Sequence, residues 1–332
     1  MGSKYSFSLN SIKPERNYKI GKLTYVTSDE VPGFANIAFA SLVLNNGGAL
    51  EPIWHPNAHK IGYCTQGSAL VSIRSPENVD IFTVNAGEMF FIPKGYIHHI
   101  ANFASQECLI KFAFSNSKPQ EMCLSKAIFS LSESVFDTTF NTSSSFLDGL
   151  KKSQKEELIK VLPPSLEMPK PNSVRYKFNI GESKKIIQNK GGYLQVGTKV
   201  NLPTLEGLGI LGFGLNPKGI VEPHWHTNAG ELVYIAKGEA RMTILSPEGK
   251  VEVLKLKKGE GAFAPTSYFH SIENTGNEDV EVIAFFSDAQ PDYMGIGEVM
   301  GAYSNELLAT TFNVSPDYFK TFNKTQEPLV II

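Results

Sequence analysis

The chain has 332 residues, of which 42% are apolar, and its 31 basic and 33 acidic side chains give a formal net charge of −2. This length predicts about two domains with sizeable cores, and the near-neutral charge offers no basic stripe for nucleic acid. The sequence contains no run of eighteen apolar residues and no apolar signal core, so we expect no membrane partner and a cytoplasmic location. Its three cysteines do not indicate a disulfide framework.

Both halves of the chain read as short β-strands bounded by glycine and proline. In the first half, strands are predicted at 40–44, 69–73, 89–92 and 109–114, followed by a helical period over 146–162. A proline-rich stretch at 163–172 is the predicted linker. In the second half, strands are predicted at 231–235, 240–245, 251–256 and 280–286, followed by a helix over 298–309. Strands at this spacing predict a sandwich or barrel in each half.

The two halves are copies of one unit. Gly48, His55, Asn57, Ala58 and Gly67 align with Gly219, His226, Asn228, Ala229 and Gly238 at an offset of 171 residues. After one inserted residue, Gly87, Pro93, His98 and Asn102 align with Gly259, Pro265, His270 and Asn274 at an offset of 172. A period this long indicates duplicated domains, which we place at 1–165 and 172–332.

The second copy carries a metal-ligand pattern. His224 and His226 lie two residues apart and share one face if they lie on a strand, and Glu231 can return to them after the bend at 228–230. His270 offers a fourth ligand. Three imidazoles and one carboxylate suit a divalent ion such as Mn²⁺ or Fe²⁺ with positions left open, while ligand type alone leaves Zn²⁺ and Ni²⁺ as alternatives.

The first copy has lost half of this pattern. Ile53 stands where the second copy has His224, and Lys60 stands where it has Glu231, whereas His55 and His98 are kept. A lysine ammonium repels a metal cation, so we predict one ion per chain, in the second domain, and expect Lys60 to occupy the space of the lost cation. His59 is a weaker alternative as a substitute ligand.

The second copy resembles the paired motifs of cupins. The first motif matches Gly219, His224, His226, Glu231 and Gly238. The second matches Gly259, Pro265, His270 and Asn274, with Ser267 at a position that is usually glycine. Across both copies the chain resembles bicupins, namely oxalate decarboxylases, germin-like proteins and seed storage globulins. The resemblance implies an all-β fold of two tandem jelly-roll barrels, each followed by short helices. Helical tails after a barrel commonly pack against a neighbouring subunit, so we expect a homo-oligomer.

The chain differs from oxalate decarboxylases at the position of a substrate-binding arginine. An arginine three residues before the first histidine binds the substrate carboxylate in that family, and this chain has Val221 there and Leu50 in the first copy. A bidentate guanidinium is hard to replace for a carboxylate. The family's acidic proton donor has its nearest candidates in Asp288 and Asp292, which are interpreted here as loop residues.

Two functions of different classes follow. The first is a metal-dependent bicupin enzyme of the decarboxylase, oxidase or dioxygenase kind, which acts on a small organic acid or similar oxygen-rich metabolite. Glu222, two residues before His224, would share the cavity face and act as base or as a partner of the ligands, or else lie at the barrel rim. The alternative is a non-catalytic small-molecule-binding or storage-like bicupin, and the sequence leaves enzymatic activity open.

Overall fold

The computed structural model describes residues 3–143, 145–153, 157–322 and 331. The chain forms two compact units. The N-terminal barrel consists of Ile12–Thr27 and Ala38–Asn179, and the C-terminal barrel consists of Met1–Ser11, Ser28–Ile37 and Ile180–Ile332. The sequence analysis placed the second domain at 172–332, whereas the C-terminal barrel also contains the two early segments Met1–Ser11 and Ser28–Ile37.

Strands dominate both units. The first half of the chain contains β1 (Ser6–Ser8), β2 (Arg16–Tyr18), β3 (Gly21–Val26), β4 (Ala38–Leu44), β5 (Gly48–Trp54), β6 (Lys60–Gln66), β7 (Ser68–Arg74), β8 (Val79–Asn85), β9 (Glu88–Ile92), β10 (Ile97–Ala101), β11 (Cys108–Phe114), β12 (Met122–Cys123) and β13 (Ile159–Val161). The second half contains β14 (Lys177–Asn179), β15 (Ile187–Gln188), β16 (Gly192–Gly197), β17 (Gly209–Leu215), β18 (Ile220–Trp225), β19 (Glu231–Lys237), β20 (Glu239–Leu245), β21 (Val251–Lys257), β22 (Glu260–Ala264), β23 (Phe269–Glu273), β24 (Val280–Phe286) and β25 (Met294–Gly295).

The helices are short and follow the barrels. They are α1 (Leu124–Phe129), α2 (Glu133–Phe140), α3 (Phe146–Lys152), α4 (Ile296–Ala302) and α5 (Asn305–Phe312), with 3-10 turns at Leu9–Ser11 and Pro316–Phe319. None of the described helices is long and apolar enough to cross a membrane.

Each barrel is built from two antiparallel sheets. In the N-terminal barrel the strand orders are β12-β5-β10-β7-β8, with β13 also paired to β5, and β14-β9-β6-β11-β4-β3-β2. In the C-terminal barrel they are β1-β22-β19-β24-β17-β16-β15 and β21-β20-β23-β18-β25. These orders confirm the predicted all-β jelly-roll architecture.

The core of the C-terminal barrel lies between its two sheets. Alternate residues of β20, Ala240, Met242 and Ile244, are buried, whereas Arg241 and Thr243 between them are partly exposed. The period of two residues places the apolar set of each strand on the inner face. Val233 and Ile272, from opposite sheets, belong to the same buried cluster as these residues. This core supports the strands that carry the candidate ligands.

All eight predicted strand cores fall within observed strands, but the predicted helix over 146–162 is partly wrong. The helix α3 ends at Lys152, and the later part of the range contains β13, which pairs with β5. Residues 154–156 lie outside the described part. The predicted helix over 298–309 is two helices, because Ser304 begins a new one: its hydroxyl accepts a hydrogen bond from the Leu307 N–H.

Each barrel receives an edge strand from the start of the other sequence copy. Strand β1 pairs with β22 of the C-terminal barrel, and β14 pairs with β9 of the N-terminal barrel. The Phe263 N–H donates to the carbonyl of Tyr5, and the Phe91 N–H donates to that of Tyr176, both at 2.8 Å. The sequences Tyr5-Ser6-Phe7 and Tyr176-Lys177-Phe178, one from each copy, therefore play the same structural part in the two units.

Candidate metal centre

The four predicted ligands come from three places in the C-terminal barrel. His224 lies in β18 directly opposite His270 of β23, and His226 follows the end of β18. Glu231 is the first residue of β19 in the other sheet. All four side chains are buried, with at most 5% of their surface exposed. The barrel thus brings together every ligand predicted from the sequence.

The ligand atoms converge on one carboxylate oxygen. Glu231 Oε2 lies 2.8 Å from His270 Nε2, 3.1 Å from His226 Nε2 and 3.7 Å from His224 Nε2. One ligand atom from each of the four residues lies within 4.8 Å of all the others. Atoms at these separations can share one ion at coordination distance after small side-chain adjustments.

Backbone carbonyls orient all three imidazoles. His224 Nδ1 lies 2.7 Å from the carbonyl oxygen of Glu222, and His270 Nδ1 lies 2.8 Å from that of Tyr268. His226 Nδ1 lies 2.5 Å from the carbonyl oxygen of Asp292. A carbonyl only accepts, so each Nδ1 donates its proton there, and the Nε2 atom of each ring is turned toward the centre.

This arrangement calls for a cation. Three imidazole Nε2 atoms and one carboxylate oxygen face each other in a buried space, and their lone pairs repel unless a metal cation or protons lie between them. Burial and the neighbouring His270 lower the pKa of His224 to about 4, so its ring is neutral at pH 7 and suited to be a ligand. Burial alone would raise the pKa of Glu231, but the three histidines outweigh it and hold that pKa well below its usual range. The residues present fit a divalent metal ion.

A small cavity of about 20 Å³ adjoins the ligands. It is lined by His224, His226 and Glu231 and otherwise by apolar side chains, namely Leu194, Leu211, Phe213, Val221, Phe286 and Ile331. A space of this size holds about one water molecule. The open positions of an ion would therefore face an almost dry, apolar wall.

The expectation that Glu222 shares the cavity face with His224 is wrong. The register of β18 shifts between Val221 and His224, which changes the alternation and turns Val221 toward the cavity. The Glu222 carboxylate accepts hydrogen bonds from the Tyr293 hydroxyl at 3.2 Å and from the Gly297 N–H at 3.3 Å. Burial raises its pKa, partly offset by these two hydrogen bonds. A role as base for this carboxylate stays a prediction, and Glu222 is not among the residues that line the cavity.

Two residues near the centre were not singled out as partners of the ligands. The Tyr293 ring stacks on His224, with centroids 4.7 Å apart and an interplanar angle of 25°. Asp292 contributes its backbone carbonyl to His226, and its side chain accepts a hydrogen bond from the Thr227 hydroxyl. A carbonyl carries no residue-type signal, so the sequence offered no way to find this contact. Asp288 accepts a hydrogen bond from the Gln290 N–H, as a loop aspartate does.

The equivalent place in the N-terminal barrel is occupied by Lys60, as predicted. Lys60 is buried, and its Nζ lies 3.2 Å from His98 Nε2 and 4.1 Å from the centroid of the Phe112 ring. Burial lowers the pKa of Lys60 to about 7, an effect partly offset by the charge of Glu121. His59 does not serve this centre: its ring stacks on Phe91, and its Nδ1 accepts a hydrogen bond from the Lys94 N–H.

The chain belongs to the cupin family. The family model described as Cupin matches twice, over residues 7–149 and 178–318, and so covers both barrels. The duplicated organisation makes the chain a bicupin, a class that includes enzymes and storage proteins.

The relatives include each of the groups expected from the motifs. Oxalate decarboxylase OxdC of Bacillus subtilis is 24% identical over 337 residues, which cover 98% of this chain and 86% of the relative. A germin-like protein of Arabidopsis thaliana, subfamily 2 member 1, is 29% identical over 140 residues, covering 40% of this chain and 64% of the relative. Legumin J of Pisum sativum is 25% identical over 147 residues, covering 43% and 29%.

Solved structures show the same fold. The structure of Bacillus subtilis oxalate decarboxylase at pH 4.6 matches with a TM-score of 0.86 at 22% identity, covering 99% of this chain and 88% of that one. A second structure of that enzyme, from work on its Mn(II) centres, matches with a TM-score of 0.86 at 22% identity, covering 99% and 89%. At this identity the likeness concerns the fold alone.

Proposed function

We propose that this bicupin is a metal-dependent enzyme with one divalent ion per chain, held in the C-terminal barrel by His224, His226, Glu231 and His270. The observation that carries the proposal is the orientation of the three imidazoles. Each Nδ1 faces a backbone carbonyl, so three Nε2 atoms converge on one carboxylate oxygen. Mixed nitrogen and oxygen ligands with open positions suit Mn²⁺ or Fe²⁺, and the Mn(II) centres of Bacillus subtilis oxalate decarboxylase support manganese.

The residues of the chain define what such a site does. Glu231 places one negative charge beside the ion, the carbonyls of Glu222, Asp292 and Tyr268 fix the rings, and the apolar wall keeps water out. When bound, an ion of this type supplies Lewis acidity or a redox couple to a ligand in its open positions. The substrate class is a small oxygen-bearing metabolite, because the cavity is small.

The second candidate is a non-catalytic bicupin that binds a small molecule or serves as a storage-like protein. The observation that favours it is the cavity of about 20 Å³, which leaves little room for a substrate. A homo-oligomer and a cytoplasmic location stay predictions.

A matched pair of variants tests the proposed function. His226→Ala removes a ligand, and His55→Ala changes the equivalent histidine of the N-terminal barrel. We expect wild type and His55→Ala to bind one equivalent of Mn²⁺ and His226→Ala to lose at least about 100-fold in affinity, since one of four ligands is gone. Elemental analysis and competition titration provide the measurement, and turnover assays on small organic acids separate the enzyme from the binding protein. Equal metal content in the two variants would refute the assignment of the site.

A further inference from the structure

The wall of the cavity beside the candidate metal ligands has a single chemical character. Beyond His224, His226 and Glu231, its lining consists of the apolar side chains Leu194, Leu211, Phe213, Val221, Phe286 and Ile331. Within the described part of the chain, this lining contains no cationic side chain and no hydroxyl or amide side chain. A ligand that reached an ion here would place its far end against hydrocarbon.

Ile331 completes that wall. It forms an isolated antiparallel bridge with Val221, and its side chain is buried with 1% of its surface exposed. The side-chain amide of Asn189 donates a hydrogen bond to the Ile331 carbonyl at 2.5 Å. Val221 and Ile331 therefore form a neighbouring apolar pair beside His224, and together they limit the space above the ligands.

Charge balance restricts the net charge that a ligand of this site can carry. A divalent cation together with the Glu231 carboxylate leaves one net positive charge among three neutral imidazoles. One monoanion neutralises that charge. A dianion would leave a net negative charge in a dry site, and its second carboxylate would be buried against Val221 and Ile331 without a donor. Burial of an unpaired carboxylate is strongly unfavourable.

We infer that the site selects a small monoanion with one oxygen-donor end and a compact apolar body, such as a short aliphatic monocarboxylate, and discriminates against dicarboxylates. Val221 and Ile331 are the residues that determine this specificity, by charge exclusion and by size. The inference rests on the proposed function, because it requires an ion on the four ligands.

The experiment uses the full chain loaded with Co²⁺, whose visible absorption reports ligands that enter its coordination sphere. Metal stoichiometry is measured first. Formate, acetate, propionate and butyrate are then titrated beside oxalate and malonate, and retention of the metal is verified after each dicarboxylate. We expect the best monocarboxylate to bind at least about 10-fold more tightly than either dicarboxylate, since a single missing charged hydrogen bond already has that effect.

Two substitutions make the inference sharper. Val221→Arg places a guanidinium on the wall and should reverse the order in favour of dicarboxylates, whereas the matched control Val221→Met should keep the wild-type order. Ile331→Ala should shift the preferred monocarboxylate toward a longer chain.

The outcomes separate the two proposals. Failure to bind Co²⁺ would overturn the proposed function and this inference with it. Normal metal binding with oxalate or malonate preferred by wild type would overturn the inference alone. An unchanged chain-length preference in Ile331→Ala would remove Ile331 from the specificity pair.

Discussion

The two barrels keep the same supports around different centres. His226 Nδ1 lies 2.5 Å from the Asp292 carbonyl oxygen, and its counterpart His55 Nδ1 lies 2.8 Å from the carbonyl oxygen of Gln120. His226 meets the edge of Phe286 at a centroid distance of 4.9 Å and an angle of 77°. The equivalent ring pair in the N-terminal barrel, His55 with Phe114, has 4.9 Å and 74°.

The centres themselves have opposite charge. Glu231 faces three imidazoles in the C-terminal barrel, whereas Lys60 faces His98 in the N-terminal barrel. Phe112 packs against Lys60 at a strand position where the other copy has Ala284. The supporting hydrogen bonds therefore belong to the barrel and its loops, and the two centres differ by a few substitutions placed inside them.

The largest expected effect is the gain of a second metal ion. Ile53→His, Lys60→Glu and Phe112→Ala together would give the N-terminal barrel the ligands and the space of its twin, because Ile53 is already paired with His98 as His224 is with His270. We expect the triple variant to bind two equivalents of Mn²⁺, measured by elemental analysis. Lys60→Glu alone should still bind one. One equivalent in a well-folded triple variant would show that the retained supports are insufficient.

Removal of the buried ammonium should change the pH dependence of stability. Burial lowers the pKa of Lys60 to about 7 from an ordinary 10.5. Between these values the unfolded chain holds more protons than the folded one, so stability rises with pH across this window, and the cost of burial is fully present below pH 7. Lys60→Met should stabilise the N-terminal barrel at pH 6 by on the order of 3 kcal/mol, an advantage that shrinks as pH approaches 10.5.

Chemical denaturation at pH 6 and pH 9.5 provides the measurement for Lys60→Met. Lys237→Met, which removes a lysine from an exposed position, is the control. A constant difference between wild type and Lys60→Met at both pH values would contradict the charged-burial interpretation.

A smaller effect is expected from the loop that fixes His226. The Asn228 side chain accepts a hydrogen bond from the Asp292 N–H at 2.8 Å and donates to the Gln290 carbonyl at 3.0 Å. Asn228→Ala should loosen the carbonyl that orients His226 and weaken Mn²⁺ binding by about 10-fold, as partners of metal ligands do. Asn57→Ala, at the equivalent position, should leave the affinity unchanged. Competition titration compares the two, and equal losses would indicate a general effect on folding.

The smallest expected effect concerns the turn between β22 and β23, which contains Ser267. Ser267 has a φ of +63°, and its counterpart Gly95 has a φ of +80°. Left-handed backbone costs a side-chain-bearing residue about 1–2 kcal/mol. Gly95→Ser should therefore destabilise the N-terminal barrel by about 1 kcal/mol, because a Cβ there meets open space and only backbone strain is added. Thermal unfolding measures the change, and an unchanged midpoint would contradict the assignment of strain.

The grouping of the four candidate ligands could be predicted because its signal is local and chemical. His224, His226, Glu231 and His270 combine distinctive residue types with motif spacing, and the degenerate copy showed which positions matter. Glu222 was misplaced because a two-residue alternation assumes a regular strand, whereas Pro223, a residue type typical of bulges, lies within the irregularity between Val221 and His224.

Strand spacing predicted a sandwich or barrel and the cupin resemblance selected the jelly roll, whereas the exchange of edge strands between the two sequence copies was not predicted. A three-residue strand such as Ser6–Ser8 takes its partner from the distant β22, and nothing in its own sequence specifies that partner. The stretch 146–162 was misassigned because apolar residues such as Leu158 and Val161 fit a helical period as well as a strand paired with β5. Tertiary pairing decided the outcome.

The reciprocal edge strands have a consequence for proteolysis. A protease that cut within 163–172 would produce two fragments, each missing one strand of its own barrel because the other fragment carries it. Separation would remove one neighbouring strand from β22 and one from β9, and the unpaired backbone groups left there readily pair with foreign strands. Nicked protein should therefore persist as a non-covalent complex, and halves produced separately should recover their solubility only on mixing.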